Sequence, residues 1–300
     1  MRNKYYNDAI IGGKDITASY TKNGELLRLM YNTPDFRQFL DFFHTGVKIN
    51  DSCIIYLHED QNNRYNQYYN EDTNVLSTEI ENTYFNLKIK QIDFVSMKNS
   101  VLVKRYIFKN ENTIDLNVNF LVHSKLLSNP NNMVGSKVEN NVLMQYSHNN
   151  TICMFSKKEI SAHQLNDTEN NIGSGVIHDK DYIGMSSDSS INYELGILKP
   201  GETKELDLYL YVIENEKVSI DEMWKNIENI RKQDVAREQI TVEKYWKKYV
   251  KDHVGIELKE ENSDYNRKFN QIYKRSILLF PLLTDKETGG LAAAVEVDEI

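Results

Sequence analysis

The sequence predicts a mainly β protein, in which a large antiparallel β-sandwich comes first and helices follow. Short runs with apolar residues at every second position fill the first two thirds of the 300 residues, and this is the period of a strand with two unlike faces. Asn-Gly, Pro-Gly and Asn-Asn pairs separate the runs, as turns do in antiparallel sheets. From Ser219 onward the apolar spacing becomes helical. We therefore expect a β domain over 1–215, a helical linker over 216–258 and the start of a further helical domain over 259–300.

The strand predictions begin with a hairpin, in which residues 16–20 and 26–30 flank an Asn23-Gly24 turn. Alternation within 113–122 predicts one face in water and one face in the core. Further strands are predicted at 85–89, 101–108, 151–156 and 206–212. Many short strands with regular turn signals are typical of an antiparallel sandwich.

Two helices are predicted in the linker. Ser219 and Glu222 form a capping box that starts the first helix, the polar stretch 232–238 separates the two, and Gly255 ends the second. The predicted apolar stripes are Ile220, Met223, Trp224, Ile227 and Ile230 in the first helix, and Val242, Tyr245, Trp246, Tyr249 and Val250 in the second.

A third helix is predicted to start near Ser263 and Asp264, and Pro281 should bend its last turn. One face is marked by Tyr265, Phe269, Ile272, Tyr273, Ser276, Phe280 and Leu283. The last part is apolar nearly all round, through Ile277, Leu278, Leu279 and Leu282. A helix of this kind belongs inside a large helical assembly. We expect it to find nothing to pack against within the 300 residues.

Composition excludes several classes of protein. A net charge of -8 argues against nucleic acid as a partner, because phosphate neutralisation needs clustered Lys and Arg. The basic stretch 244–251 fits the solvated side of an amphipathic helix. We expect no membrane association, since the densest apolar stretch, 277–283, is too short to span a bilayer. Cys53 and Cys153 each lie in an apolar run, which predicts two buried free thiols and a cytoplasmic protein.

Catalytic motifs are lacking. The seven histidines include no pair at a zinc-ligand spacing, and His123 is predicted to be an ordinary outward residue of a strand. The Gly12-Gly13-Lys14-Asp15 stretch lacks the upstream glycine and the hydroxyl residue of a phosphate loop. The sequence therefore predicts no catalytic, cofactor-binding or metal-ligating residue, and no cofactor.

Two groups of residues have alternative interpretations. Glu296, Asp298 and Glu299 follow a helix end, where a helical barrel builds its site, but solvated loop acids are the interpretation that we favour. The tyrosines 65, 68 and 69 stand beside Asn and Gln, which suits the stacking of sugar rings. A polar loop that folds these tyrosines onto the sandwich is the alternative that we favour.

Four stretches resemble one known family. They are 24–36 (GELLRLMYNTPDF), the pair Tyr245-Trp246, residues 276–279 (SILL) and, most specifically, 283–294 (LTDKETGGLAAA). Together they resemble glycoside hydrolase family 15, in its prokaryotic glucoamylase-type form, and the similarity extends over essentially the whole chain.

The resemblance implies a β super-sandwich, a helical linker and an (α/α)6 barrel that holds the active site. Such enzymes release glucose from the non-reducing ends of α-glucans with inversion, using two glutamates contributed by later loops of the barrel. Neither glutamate has a matching position here. We therefore expect the chain to be the N-terminal part of such an enzyme, with a truncated barrel, its active site beyond residue 300, and no activity of its own.

Two other functions are left open by the sequence. The chain could be a non-catalytic carbohydrate-binding or assembly module with a concave aromatic groove, or a relative of the sugar phosphorylases. The expected partners are an α-glucan or maltooligosaccharide in the full-length protein, and a second copy of the chain through an exposed C-terminal helix. Linkage preference, calcium binding and oligomeric state are not determined by these residues.

Overall fold

The computed structural model describes residues 7–13, 15–32, 38–127, 134–147, 149–179, 188–256, 258–259, 263–285 and 288–292. Within these residues the chain is mainly β, and a β-sandwich followed by helices is confirmed. The last strand ends at Glu214 and the first long helix begins at Ile220. The division into three domains stays a prediction.

The strands are β1 (Ala9–Gly12), β2 (Ile16–Tyr20), β3 (Leu26–Tyr31), β4 (Leu40–Ile49), β5 (Ile55–Tyr56), β6 (Asn63–Tyr69), β7 (Leu76–Asn82), β8 (Leu87–Val95), β9 (Val101–Asn110), β10 (Leu116–Leu126), β11 (Gly135–Glu139), β12 (Val142–Tyr146), β13 (Asn150–Ser156), β14 (Ala162–Leu165), β15 (Ser189–Leu198) and β16 (Thr203–Glu214). The helices are α1 (Glu169–Ile172), α2 (Ile220–Arg231), α3 (Val235–His253) and α4 (Asp264–Leu283).

The described strands form three antiparallel sheets. An eight-stranded sheet has the order β11-β12-β13-β16-β9-β8-β7-β6, a five-stranded sheet has the order β14-β15-β10-β4-β5, and β1, β2 and β3 form a third sheet. The predicted Asn23-Gly24 hairpin is the β2–β3 pair. Asn140 and Asn141 join β11 to β12, and both have a positive φ, which is the conformation that a two-residue hairpin turn requires.

Two of the predicted strands begin later than their sequence pattern suggests. Phe85 lies in the turn before β8, and Ile114 is 58% exposed, ahead of β10. The outer face of β10 was expected to lie in water, yet Leu121 and His123 on that face are buried. The alternation of apolar and polar residues therefore predicted where these strands lie. It did not predict whether the polar face of each strand is exposed to water.

The main core lies between the sheets. Tyr106 of β9 and Phe120 of β10 meet across it with ring centroids 4.6 Å apart. The inward residues of β8, β9 and β16 are buried here together with those of β4, β10 and β15. Because burial of each large apolar side chain contributes about 1.5–3 kcal/mol, this layer makes a large contribution to the stability of the sandwich.

A second core covers the outer face of the eight-stranded sheet. Tyr209 and Tyr211 of β16 are buried on this face, beneath Ile227 of α2 and Trp246 of α3. Strand β16 therefore alternates between two buried faces. The two helices are separated at residues 232–234, within the predicted break, and their N-termini are capped by Ser219 and Asp234, whose side chains accept backbone N–H bonds.

Helix α4 is apolar on two opposite faces, and only one of them is packed. Leu278 and Leu282 are buried in the second core, and Ile277 is buried beside them in sequence, so the expectation that this helix packs against nothing is wrong for that face. The predicted stripe points the other way. Its residues Tyr265, Phe269, Ile272 and Phe280 are 71%, 38%, 68% and 55% exposed.

Arg275 attaches α4 to the sandwich. Its guanidinium lies 3.6 Å from the centroid of the Tyr69 ring, and it donates hydrogen bonds to the carbonyl oxygens of Ile10 and Thr73 and to Oδ1 of Asn74. An arginine held by a ring and three acceptors is well ordered. The orientation of α4 on the sheets is therefore defined by polar as well as apolar contacts.

None of the described helices is both long and apolar enough to cross a membrane.

The two cysteines differ in environment. Cys153 of β13 is buried, and Cys53, which was expected to be buried as well, lies exposed in the β4–β5 loop. Burial raises the pKa of the Cys153 thiol to about 12. The thiolate is the reactive form of cysteine. Cys153 is therefore protected from reagents because it is inaccessible and because its thiol stays protonated.

We expect an alkylating reagent at pH 8 to modify one thiol of the native chain, at Cys53, and two thiols of the denatured chain. Intact-mass spectrometry counts the additions, and peptide mapping locates them. Modification of Cys153 in the native chain at a rate comparable to Cys53 would contradict the described packing of β13.

A buried ion pair lies within the main core. Lys104 Nζ of β9 is 2.7 Å from Oδ1 of Asp93 on β8, and both side chains are almost completely shielded from solvent. Gln91 donates to the second oxygen of Asp93 at 2.6 Å. Burial raises the pKa of Asp93 and lowers the pKa of Lys104, and each shift is opposed by the charge of the partner. Each charge is tolerated only because the other is present.

We expect Lys104→Met to destabilise the chain by about 3–5 kcal/mol, since it leaves the Asp93 carboxylate buried without its counter-charge. The double variant Lys104→Met/Asp93→Leu should recover most of that loss. Urea denaturation measures both free energies of unfolding. An equal loss in the single and double variants would show that shape, and not charge pairing, is what this position requires.

Candidate functional site

The candidate site residues of the sequence analysis are not assembled into a site by the described structure. Glu296, Asp298 and Glu299 lie outside the described residues. The tyrosines 65, 68 and 69 lie on strand β6 and not in a loop. Tyr65 and Tyr69 pack against the main core, whereas Tyr68 projects from the opposite face and donates to Glu79. The three rings therefore form no common platform.

A groove of ≈ 590 Å³ lies along β6 to β9. Tyr65 is the one aromatic residue among the described residues that line it, and the wall is otherwise rich in charge, with Glu79, Glu81, Lys88 and Lys90. Lys90 is within 4.0 Å of Glu79. A surface of paired charges with one ring does not match the concave aromatic groove that was expected for a carbohydrate-binding module.

Three histidines stand on one rung across the five-stranded sheet. His44 of β4 is directly opposite His123 of β10 in the strand register. On the other side of β4, the pairs Gly46–Tyr56 and Val47–Ile55 define the β4–β5 register, and the bond from Leu57 N–H to Thr45 O continues it. One further step places His58 opposite His44. The ring centroids of His44 and His58 are 4.8 Å apart, and the rings are stacked.

Glu25 completes the near end of this row. It immediately precedes β3, in the loop that joins β2 to β3. Its Oε1 atom is 3.3 Å from His44 Nε2 and 3.8 Å from His58 Nε2. The three side chains are 10%, 15% and 5% exposed, in the order Glu25, His44 and His58. Two imidazoles and one carboxylate thus converge in a largely buried pocket.

The far end of the row is a second histidine–carboxylate pair. His123 Nε2 lies 3.0 Å from Asp188 Oδ2, which also accepts the backbone N–H of Glu169 at 2.9 Å. Burial lowers the pKa of His123, against the opposing effect of Asp188. Burial alone would raise the pKa of Asp188, but His123 and the N–H groups of Thr168 and Glu169 together hold it below its ordinary value. At neutral pH the pair is therefore a neutral imidazole that donates to a carboxylate.

Aromatic rings line the row of histidines. Phe42 stacks on His44 with centroids 4.8 Å apart and meets His123 edge-on at 4.7 Å. Tyr56 lies 5.8 Å from both His44 and His58. These rings restrict the rotation of the imidazoles, which is how a protein fixes the direction of a ligand nitrogen or a proton-transfer group.

Chemically, the arrangement can bind a cation or transfer protons. Glu25, His44 and His58 offer donor atoms that all lie within 4.8 Å of one another. His123, predicted to be an ordinary outward residue of a strand, is buried. The prediction that no histidine is a metal ligand was made from sequence spacing, and it stays a prediction. His44 and His58 are 14 positions apart, which matches no local motif. The only sequence signal would have been a β-hairpin that pairs position 44 with position 58.

The stretch after α4 forms a compact turn. Thr284 and Leu291 make an antiparallel bridge, and Asp285 N–H donates to Gly290 O while Gly289 N–H donates to Asp285 O. Gly289 has a φ of 72°, which a side chain would disfavour. The described part of the most specific family-like stretch thus returns the chain across the end of α4.

Comparison with known proteins finds similarity to proteins that are named glycoside hydrolases. No protein-family model matches the sequence. The chain is 26% identical over 308 residues to a protein of Methanocaldococcus jannaschii that is named an uncharacterized glycosyl hydrolase, and the match covers 96% of this chain and 47% of that protein. The chain therefore spans about half the length of the curated relative that it matches.

Two solved structures share the fold over most of the chain. A bacterial glucoamylase complexed with acarbose superposes with a TM-score of 0.71 at 14% identity, covering 93% of this chain and 41% of its own. A family GH92 α-mannosidase from Bacteroides thetaiotaomicron gives a TM-score of 0.51 at 11% identity, covering 92% and 38%. At such identities the likeness concerns the fold, since one fold hosts many activities.

We expect Asp188→Ala to lower the free energy of unfolding by about 1–3 kcal/mol, because it leaves the buried imidazole of His123 without its acceptor and also removes the acceptor of the Glu169 backbone N–H. Asp41→Ala is the matched control. Asp41 lies on the same sheet, its side chain is 44% exposed, and it pairs with Lys125 at 3.7 Å, so its loss should cost less than about 0.5 kcal/mol. Urea denaturation measures the free energy of unfolding of both variants. An equal loss in Asp188→Ala and Asp41→Ala would argue against a structured His123–Asp188 pair.

Proposed function

We propose that this chain is the N-terminal part of an inverting α-glucan exo-hydrolase of the glucoamylase type. In this proposal the sandwich and the α2–α3 linker support an (α/α)6 barrel that begins with α4. The substrate is an α-glucan or maltooligosaccharide, from which glucose is released at the non-reducing end. The active site lies in a part of the polypeptide that follows these 300 residues.

The observation that carries the proposal is the extent of the fold likeness. The match to the bacterial glucoamylase covers 93% of this chain with a TM-score of 0.71, so it includes helices as well as sheets. The relative named as a glycosyl hydrolase aligns with 96% of the chain. The family-like stretch 283–294 follows α4 directly, where the described residues make the Thr284–Leu291 bridge.

Inverting hydrolysis requires two carboxyl groups, roughly 6.5–9.5 Å apart, of which one protonates the leaving oxygen and the other activates water on the opposite face of the sugar. We assign neither role to a residue of this chain. The Glu25–His44–His58 cluster has a single carboxylate among its three donor atoms. The contribution of this chain to catalysis is therefore to support and orient the barrel.

The exposed face of α4 is the contact surface for that barrel. Tyr265, Phe269, Ile272 and Phe280 lie on one side of the helix and are all exposed, while the opposite side is fixed to the sandwich by Arg275. Burial of these four side chains would contribute about 1.5–3 kcal/mol each. In this proposal they pack against the later helices of the same polypeptide. The alternative is that a second copy of the chain covers this face of α4.

The test compares the 300-residue chain with the complete gene product that contains it. Each is incubated with maltopentaose, and the anomer of any released glucose is followed by proton NMR. We expect no glucose from the chain alone, and β-glucose as the first product of the complete protein, since inversion of an α-linkage yields the β-anomer.

The other outcomes distinguish the alternatives. Glucose 1-phosphate formed only in the presence of inorganic phosphate would replace the hydrolase proposal with a phosphorylase. Maltopentaose binding by the 300-residue chain, with no turnover by the complete protein, would favour a carbohydrate-binding module. Glucose released by the chain alone, or α-glucose as the first product, would overturn the proposal directly.

A further inference from the structure

The distances within the Glu25–His44–His58 cluster are unusual for a hydrogen-bonded group. Charge-assisted N–H···O bonds are about 2.7–2.9 Å long, whereas Glu25 Oε1 lies 3.3 Å from His44 Nε2 and 3.8 Å from His58 Nε2. The longer of these is beyond hydrogen-bond reach. Two ligands that each lie about 2.0–2.1 Å from a tetrahedral zinc ion are separated by about 3.3 Å. The 3.3 Å between Glu25 Oε1 and His44 Nε2 is the separation expected between two ligands of one zinc ion.

We propose that Glu25, His44 and His58 bind a divalent transition-metal ion of the zinc class. Each of the three residues offers one ligand atom, and these atoms all lie within 4.8 Å of one another. Oε1 of Glu25 faces Nε2 of both histidines. Imidazole nitrogen with carboxylate oxygen is a donor set suited to zinc and its neighbours, while calcium and magnesium prefer oxygen alone. The site is distinct from the carboxylate pair that the proposed hydrolysis requires.

The surroundings of the cluster are those of a preformed site. His44 is held in the middle of β4 by its pairing with β10, and Phe42 and His58 both stack on its ring. The side chain of His58 is 5% exposed. Ligands with restricted side-chain motion lose little entropy when they bind an ion, so the row of stacked rings favours metal binding.

A fourth ligand is available next to the cluster. Oε1 of Glu59 lies 3.8 Å from His58 Nε2, and its side chain is 48% exposed. A structural zinc site has four protein ligands, whereas a site with three keeps one position for water. Glu59 can turn towards the ion from the solvent side and complete the coordination.

The role of the ion follows from where the ligands lie. Glu25 belongs to the β2–β3 loop, and His44 belongs to the five-stranded sheet, so an ion shared by them ties two different sheets together. A metal that binds the folded chain and not the unfolded chain stabilises it by mass action. We therefore expect a structural ion that locks the β2–β3 hairpin onto the sandwich.

The experiment uses the 300-residue chain produced without a histidine tag, stripped with a chelator and reloaded with zinc. Inductively coupled plasma mass spectrometry after gel filtration should find one zinc per chain, and zinc should raise the melting temperature. X-ray absorption at the zinc edge should show two imidazoles and ligand distances of about 2.0–2.1 Å. This last measurement needs no substitution, so it decides the proposal even if variants fold poorly.

Substitutions locate the ion. Glu25→Gln and His44→Gln should each weaken zinc affinity in calorimetry by about tenfold or more, as even outer-shell changes weaken metal sites by 10–100-fold. Glu159→Gln and His253→Gln, at exposed positions, are the matched controls and should leave zinc affinity unchanged. Zinc retained equally by the cluster variants, no zinc on the unmodified chain, or an absorption spectrum without imidazole would overturn the proposal. None of these results depends on whether the complete protein hydrolyses glucans.

Discussion

The structure depends on one constraint, which is that the eight-stranded sheet has a buried inner face and, over part of its outer face, a second apolar surface that must also be buried. Its inner face meets the five-stranded sheet, where Tyr106 and Phe120 are in contact. Its outer face carries Tyr209 and Tyr211. Their rings are part of an apolar surface, and α2 and α3 cover that surface. The helices are therefore part of the fold of the sandwich and not an appendage to it, because without them a second apolar layer would be exposed.

Polar contacts fix the strand register and the helix orientation, which apolar packing alone does not determine. The Lys104–Asp93 pair sits between neighbouring strands of the main core, where a shift of register would leave two buried charges apart. Arg275 likewise binds α4 through directed hydrogen bonds to Ile10 and Thr73. Apolar surfaces can shift against each other and stay in contact, whereas the ion pair and the Arg275 hydrogen bonds form in one geometry only. The exposed side of α4 is consequently presented in a defined orientation.

The likeness of this chain to solved glycoside hydrolase structures is a likeness of fold. The likeness to the bacterial glucoamylase covers sheets and helices alike. Among the described residues, titratable side chains converge in the row of histidines on the five-stranded sheet, with Glu25 at one end and Asp188 at the other. The same antiparallel pairing that builds the sheet brings these side chains together, so the site is a product of strand register.

The sequence by itself determined the order of sheets and helices, the Asn-rich turns, the capped start of α2 and the double-sided apolarity of α4, because these follow from periods and preferences of adjacent residues. Only the tertiary structure decided which face of β10 and α4 is covered, that Cys53 is exposed, and that His58, His44 and His123 share a rung. Residues 14 and 79 positions apart become neighbours through cross-strand pairing. No local spacing encodes that pairing, since register is set by the packing of whole strands.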